Sequence, residues 1–161
     1  MILKFALSVA TAQVVDIPTR DRVLDLRSVS RESLRLEVNR KAHELTVYSG
    51  ATKIKTYPVA IGRIGWETPT GTFHVLQKLR DPTWVHPLNG KEFPAADPGN
   101  ELGHYWIGFA KAGENSIGFH GTPHPNSVGQ SLSHGCIRMH EKDIAELFQE
   151  VRIGTVVTVL P

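Results

Sequence analysis

The chain's only cysteine, Cys136, lies in the run Ser133-His134-Gly135-Cys136-Ile137-Arg138-Met139, and His120 stands sixteen positions before it in Phe119-His120-Gly121-Thr122. A thiol of ordinary pKa, about 8.5, is only a few per cent thiolate at neutral pH, so a cysteine nucleophile needs a base or an imidazolium beside it. His120, His134, His124 and His140 are the sequence neighbours able to serve. If 133–139 is extended, side chains alternate, so that His134, Cys136 and Arg138 share one face while Ile137 and Met139 address the other. Attack on an amide carbonyl builds negative charge on oxygen, and backbone N–H groups around Gly135 and Cys136 are the simplest means of holding it. Gly135 has no side chain to prevent close approach. Arg138 is permanently charged and its planar fork suits a carboxylate, which points to a substrate with a free carboxylate near the scissile bond.

The same residues admit other chemistry. A lone cysteine in an apolar sheet behaves as a small buried hydrophobe. A mixed zinc site from His120, His124, Cys136 and His140 is chemically reasonable because thiolate and imidazole both suit zinc, although the spacing follows no zinc signature. One cysteine excludes an internal disulfide and a cysteine-only zinc site. The 161 residues suffice for one ordinary soluble domain with a real core. With 18 Lys plus Arg against 16 Asp plus Glu, all dispersed, the net charge of +2 does not suit a nucleic-acid binder.

The elements that must position these groups read mainly as β-structure. Leu34, Leu36 and Val38 alternate with polar residues, and Leu45 to Tyr48 follows the Asn39-Arg40-Lys41 break, which predicts a hairpin. Further strands are expected over 54–61, 72–77, 105–109 and 116–120, and the β-branched run Val156 to Leu160 suits a buried closing strand. Ile144, Leu147, Phe148 and Val151 fall at helical spacing, predicting one amphipathic helix over about 141–152 with Gly154 as its stop. The expected fold is therefore mainly β, a sandwich-like or barrel-like domain carrying one helix near the C-terminus. Between 80 and 104, Pro82, Pro87, Pro94 and Pro98 interleave with Gly90, Gly99 and Gly103. A connection this long without regular structure is unusual, and it is expected to be a lid or groove wall, or a passive insertion.

At the start, Lys4, the apolar run Phe5 to Ala10 and Ala10-Thr11-Ala12 are similar to a short secretory signal over 1–12, followed by a charged connector over 13–33 and a single domain over 34–161. No stretch approaches the roughly 20 apolar residues that span a bilayer, so no stable membrane span is expected.

Taken together, Ser133-His134-Gly135-Cys136-Ile137-Arg138 with His120-Gly121-Thr122 resembles the signature of the L,D-transpeptidases (YkuD-type domains). Thr68-Pro69-Thr70-Gly71-Thr72-Phe73 resembles the family's Thr-Pro-x-Gly-x-Phe turn and strand, Tyr105-Trp106-Ile107 its aromatic strand, and Gly154 to Val157 its last strand. The resemblance runs from about Leu34 to Leu160. It implies a β-sandwich-like L,D-transpeptidase catalytic fold with Cys136 as acylated nucleophile, His120 as general base, and the Gly121 carbonyl orienting that base. His134 and Gly135 would shape the oxyanion site with Cys136, while Ser133 and Arg138 would fix the loop or the donor.

The donor it implies is a peptidoglycan tetrapeptide stem, cut between the L-centre of its third, diamino-acid residue and terminal D-Ala, through a thioester. The acceptor would be the amine of another stem, a lysine of an envelope protein, a free D-amino acid, or water, the last making the protein an L,D-carboxypeptidase. The expected site is periplasm or cell wall, and neither metal nor organic cofactor is implied. A non-catalytic wall-binding domain and a zinc hydrolase are the readings from other classes.

Overall fold

A computed structural model describes residues 34–86 and 88–161, so the signal-like segment 1–12 and the connector 13–33 lie outside the described residues. The chain opens with β1 (Leu34–Asn39), β2 (Glu44–Ser49) and β3 (Thr52–Pro58), an antiparallel meander whose first hairpin is the one the alternation predicts. The closing strand β13 (Val156–Leu160) lies parallel to β1, and β5 (Gly71–His74) pairs antiparallel with β13, completing a five-stranded sheet in the order β3-β2-β1-β13-β5. A second sheet is built from β6 (Gln77–Arg80), β9 (Tyr105–Ala112), β10 (Asn115–His120) and β12 (Ile137–Arg138), in the order β12-β10-β9-β6.

Both sheets contribute to one core. Leu36, Val38, Leu45, Val157 and Val159 from the first meet Ile107, Phe109, Ile117, Phe119 and Ile137 from the second. Phe73 and Phe109 cross between the sheets with ring centroids 5.6 Å apart. Burying such side chains is the main favourable term in the fold. The helix α1 (Glu141–Glu150) adds Ile144 and Leu147, both fully buried, and Phe148 packs on Tyr105 at 5.0 Å. It ends two residues earlier than the expected 152. Val151 turns to extended backbone yet stays buried, so the apolar spacing outlasts the helix.

Two expected strands are each divided, because the chain changes sheet inside them. The run over 54–61 breaks after Pro58. Val59 donates to the His43 carbonyl, and Ala60 then exchanges two hydrogen bonds with Arg138, at 2.9 and 3.0 Å, before β4 (Ile61–Gly62) pairs with β11 (Ser131–Ser133). The run over 72–77 breaks at Val75 and Leu76, which hydrogen-bond to Thr155 and to Gly108 respectively and so carry the chain from the first sheet to the second. Hydrophobic alternation records burial and is silent about such a crossing.

The 80–104 connection is more ordered than expected. It contains the hairpin β7 (Trp84–Val85) and β8 (Glu92–Phe93), with the rings of Trp84 and Phe93 5.1 Å apart. Asn100, 6% exposed, donates its side-chain amide to the carbonyls of Pro82, Phe93 and Pro94, which ties the proline-rich segment together from its centre.

Candidate active site

Parallel pairing of β10 with β12 sets Phe119 opposite Ile137 and His120 opposite Arg138. The two segments singled out by their chemistry are therefore neighbours in one sheet, with Cys136 immediately before β12. The alternation expected over 133–139 holds where it concerns burial, since Ile137 and Met139 are fully buried. It fails for the backbone, because residues 134–136 form a bend with Gly135 at φ +108. L side chains rarely adopt that conformation. A Cβ at Gly135 would also come within 3.1 Å of Ile117 Cδ1.

Side chains hold this bend. The Ser133 hydroxyl, in a residue 2% exposed, donates to the Cys136 carbonyl and accepts from the Gly135 N–H at 3.1 Å. Thr68, fully buried, donates to the Gly135 carbonyl at 2.9 Å and accepts from the Gly62 N–H at 3.0 Å. Cys136 itself is half-buried, and its thiol donates to the Ser116 carbonyl at 3.6 Å.

His120 ends β10 and is 3% exposed. Its Nδ1 lies 2.5 Å from the Gly121 carbonyl, which only accepts, so the ring carries its proton on Nδ1 and keeps a lone pair on Nε2. Trp106 stacks near it, centroids 6.2 Å apart. A Cβ at Gly121 would fall 1.9 Å from Glu141 Oε1, so any side chain there would require the Glu141 carboxylate to move. Burial, with Arg138 in a lesser part, lowers the imidazole pKa to about 4, against the opposing pull of the Gly121 carbonyl and the Glu101 backbone. Burial likewise raises the Cys136 thiol to about 11, with Gly118 backbone and Arg138 opposing. At neutral pH these shifts favour a thiol and a neutral imidazole over a thiolate–imidazolium pair.

Arg138, with a side chain 16% exposed, places Nη2 3.4 Å from Glu101 Oε2. Arg138 Nε and Glu101 Oε2 are buried without a hydrogen-bond partner. The other Glu101 oxygen faces His124 Nε2 at 3.2 Å. The fork expected to meet a substrate carboxylate thus already faces a carboxylate of its own chain. Glu101 was not legible in the sequence, where Asn100-Glu101-Leu102-Gly103 reads only as loop. His134 meets Arg63, Nη2 to Nε2 at 2.8 Å, with Trp66 edge-on at 4.9 Å. Arg63 and Trp66 carry no sequence signal beyond standing just before the Thr68-Pro69 turn.

His120, Ser133, His134, Cys136 and Arg138 line one cleft of about 550 Å³, and Trp84, His86 and Glu101 of the 80–104 segment line it too. Gly121 and Gly135 act on it through their backbones. His140 is the residue preceding α1, and among the described residues no group of three or more His, Cys, Asp or Glu side chains converges as a metal-holding set. The four residues of the zinc alternative are therefore not brought together.

The family model of the YkuD L,D-transpeptidase catalytic domain matches residues 33–159. Among curated relatives, the putative L,D-transpeptidase YkuD of Bacillus subtilis is 38% identical over 118 residues, covering 73% of this chain and 60% of that protein. The putative L,D-transpeptidase YqjB of the same organism is 39% identical over 120 residues, covering 73% and 66%. The chain thus spans about 60 to 66% of the length of these relatives. The solved structure of the L,D-transpeptidase LdtMt1 in complex with imipenem superposes with a TM-score of 0.67 at 26% identity, covering 80% of this chain and 59% of that one.

Proposed function

Because the chain belongs to the L,D-transpeptidase (YkuD-type) catalytic-domain family, we propose that it is a cysteine acyltransferase acting on peptidoglycan stem peptides outside the cytoplasmic membrane. The observation that carries the reading is the convergence, in one cleft, of the single thiol with an imidazole whose Nδ1 is committed to the Gly121 carbonyl. That leaves Nε2 as the only ring atom able to take a proton.

Cys136 Sγ attacks the carbonyl carbon on the L-centre of the third residue of a tetrapeptide stem while its proton passes to His120 Nε2. The oxyanion is held by backbone N–H groups of the 134–136 bend other than that of Gly135, which donates to the Ser133 hydroxyl; Ser133 and Thr68 fix the shape of the bend. Collapse breaks the C–N bond, His120 returns the proton to the departing D-Ala amine, and a thioester remains. An amine acceptor then attacks the thioester carbon while His120 takes its proton; the C–S bond breaks, the amide is released, and His120 returns that proton to sulfur, restoring the thiol. Burial suits this sequence, because a neutral pair in a cleft exposes no charged nucleophile before substrate arrives. Among the described residues no helix is long and apolar enough to cross a membrane.

The test is incubation of the protein with tetrapeptide-bearing muropeptides and an amine acceptor. Release of D-Ala with formation of an acyl-transfer product, absent in Cys136→Ala, is the expected result. Unchanged tetrapeptides in the presence of correctly folded protein would reject the reading.

A further inference from the structure

His134 lies two residues before the nucleophile and lines the same cleft as Cys136. Its Nε2 is 2.8 Å from Nη2 of Arg63, which comes from the turn after β4, while Arg63 Nη1 reaches the Leu132 carbonyl at 3.4 Å. A guanidinium has donors only and keeps its charge at any physiological pH. Nε2 must therefore be the acceptor, so its lone pair is occupied and the single ring proton sits on Nδ1. The edge of Trp66, 4.9 Å away, limits rotation of the ring. His134 Nδ1 makes no hydrogen bond within the described residues and is not among their buried unpartnered atoms, which leaves it solvent-accessible on a residue that lines the cleft.

We propose that Arg63 is a positioning residue that locks His134 as a neutral, Nδ1-protonated ring, making it a fixed hydrogen-bond donor to a substrate oxygen and preventing it from acting as a second base. The proposal rests on the acyl-transfer reading above for the identity of that oxygen, the carbonyl or carboxylate of the acyl donor. It separates the two histidines by their partners. His120 donates its Nδ1–H to a carbonyl in a hydrogen bond and retains its lone pair on Nε2, whereas His134 has its Nε2 capped by a cation and retains an N–H. One site therefore holds a proton acceptor and a proton donor of the same residue type, and the partner of each ring decides which is which.

The charged groups facing His134 act consistently. Burial, then Arg63, Arg138 and His86, push its pKa down, and only Glu101 opposes them. The ring accordingly holds its neutral form to lower pH than a free imidazole does. Removing Arg63 takes away both the cap on Nε2 and a charge that disfavours protonation, so the pKa must rise.

The experiment is long-range proton–nitrogen correlation NMR on histidine-labelled full-length protein, with His134→Gln for assignment, from about pH 8 to about pH 5.5, across the free imidazole pKa of about 6.5. The expected wild-type result is a protonated Nδ1 and an unprotonated Nε2 for His134 at and above the free imidazole pKa, with any titration displaced below it. In Arg63→Met the ring should populate both tautomers and titrate, and Arg63→Lys, which also offers only donors, should restore the lock. Acylation of Cys136 by a tetrapeptide donor should slow by about tenfold in Arg63→Met, as befits partial loss of one oriented donor, and recover in Arg63→Lys. A wild-type His134 protonated on Nε2, or one that titrates near pH 6.5, would overturn the proposal even if no variant folds. So would an Arg63→Met spectrum identical to wild type. Failure of any stem donor to acylate wild-type Cys136 would instead reject the acyl-transfer reading and leave the tautomer result standing.

Discussion

Replacing Thr68 by Val tests whether the nucleophile bend is held by a buried hydroxyl. The substitution keeps the shape of the side chain and swaps the hydroxyl for a methyl. In doing so it orphans the Gly62 N–H, which now donates at 3.0 Å, and the Gly135 carbonyl, which now accepts at 2.9 Å. Each buried polar group left unpaired costs about 1–3 kcal/mol, so the pair amounts to about 2–6 kcal/mol. In a domain of this size each kcal/mol lowers Tm by about 2–4 °C, which places the expected drop between about 4 and about 24 °C in a calorimetric or fluorescence melt. Thr68→Ser retains the hydroxyl and loses one methyl, and should cost no more than about 1 kcal/mol. Because Gly135 sits one residue before Cys136, Thr68→Val should also slow acylation of the thiol at temperatures where it is fully folded. A Val variant melting within about 2 °C of wild type, with normal acylation, would refute the claim that Thr68 holds the bend.

Burial of His120 links stability to pH. Its folded pKa of about 4 lies below the unfolded value, so its contribution is complete above about pH 6.5 and is lost as pH falls towards 4, amounting to at most about 3 kcal/mol. Urea melts across that window should show the loss, and His120→Gln should flatten it; a wild-type slope equal to the variant's would contradict the burial argument. Removing the Asn100 amide, which donates to three carbonyls of the 80–104 segment, should raise the KM for a stem donor in Asn100→Ala while reaction of Cys136 with a small alkylating reagent stays within about twofold. Equal losses in both assays would show that the segment supports the thiol itself rather than the cleft wall.

Much of the architecture was legible because burial writes itself into alternation. The β1–β2 hairpin, the closing strand and the helix α1 all follow from apolar spacing. Where the chain crosses between sheets, at Val59-Ala60 and Val75-Leu76, the apolar pattern continues while the hydrogen-bond partners change, so single strands were expected where there are two. Among the site residues, Cys136, His120 and Gly121 stand out by residue type and by motif. The bend at Gly135 was not foreseen, because an extended reading of 133–139 already explained why Ile137 and Met139 are buried. Arg63, Thr68 and Glu101 act through contacts spanning many residues of sequence, Arg63 to His134 and Thr68 to Gly135 among them. Nothing in local composition distinguishes such an arginine or glutamate from a solvated surface charge.

The central claim is that Cys136 is an acylated nucleophile with His120 as its base. Intact mass spectrometry after mixing the protein with a carbapenem reads this directly. The expected result is one covalent adduct per chain, mapped by peptide digestion to Cys136, absent in Cys136→Ala and much slower to form in His120→Ala. An adduct that persists in Cys136→Ala, or a wild-type rate indifferent to the loss of His120, would contradict it.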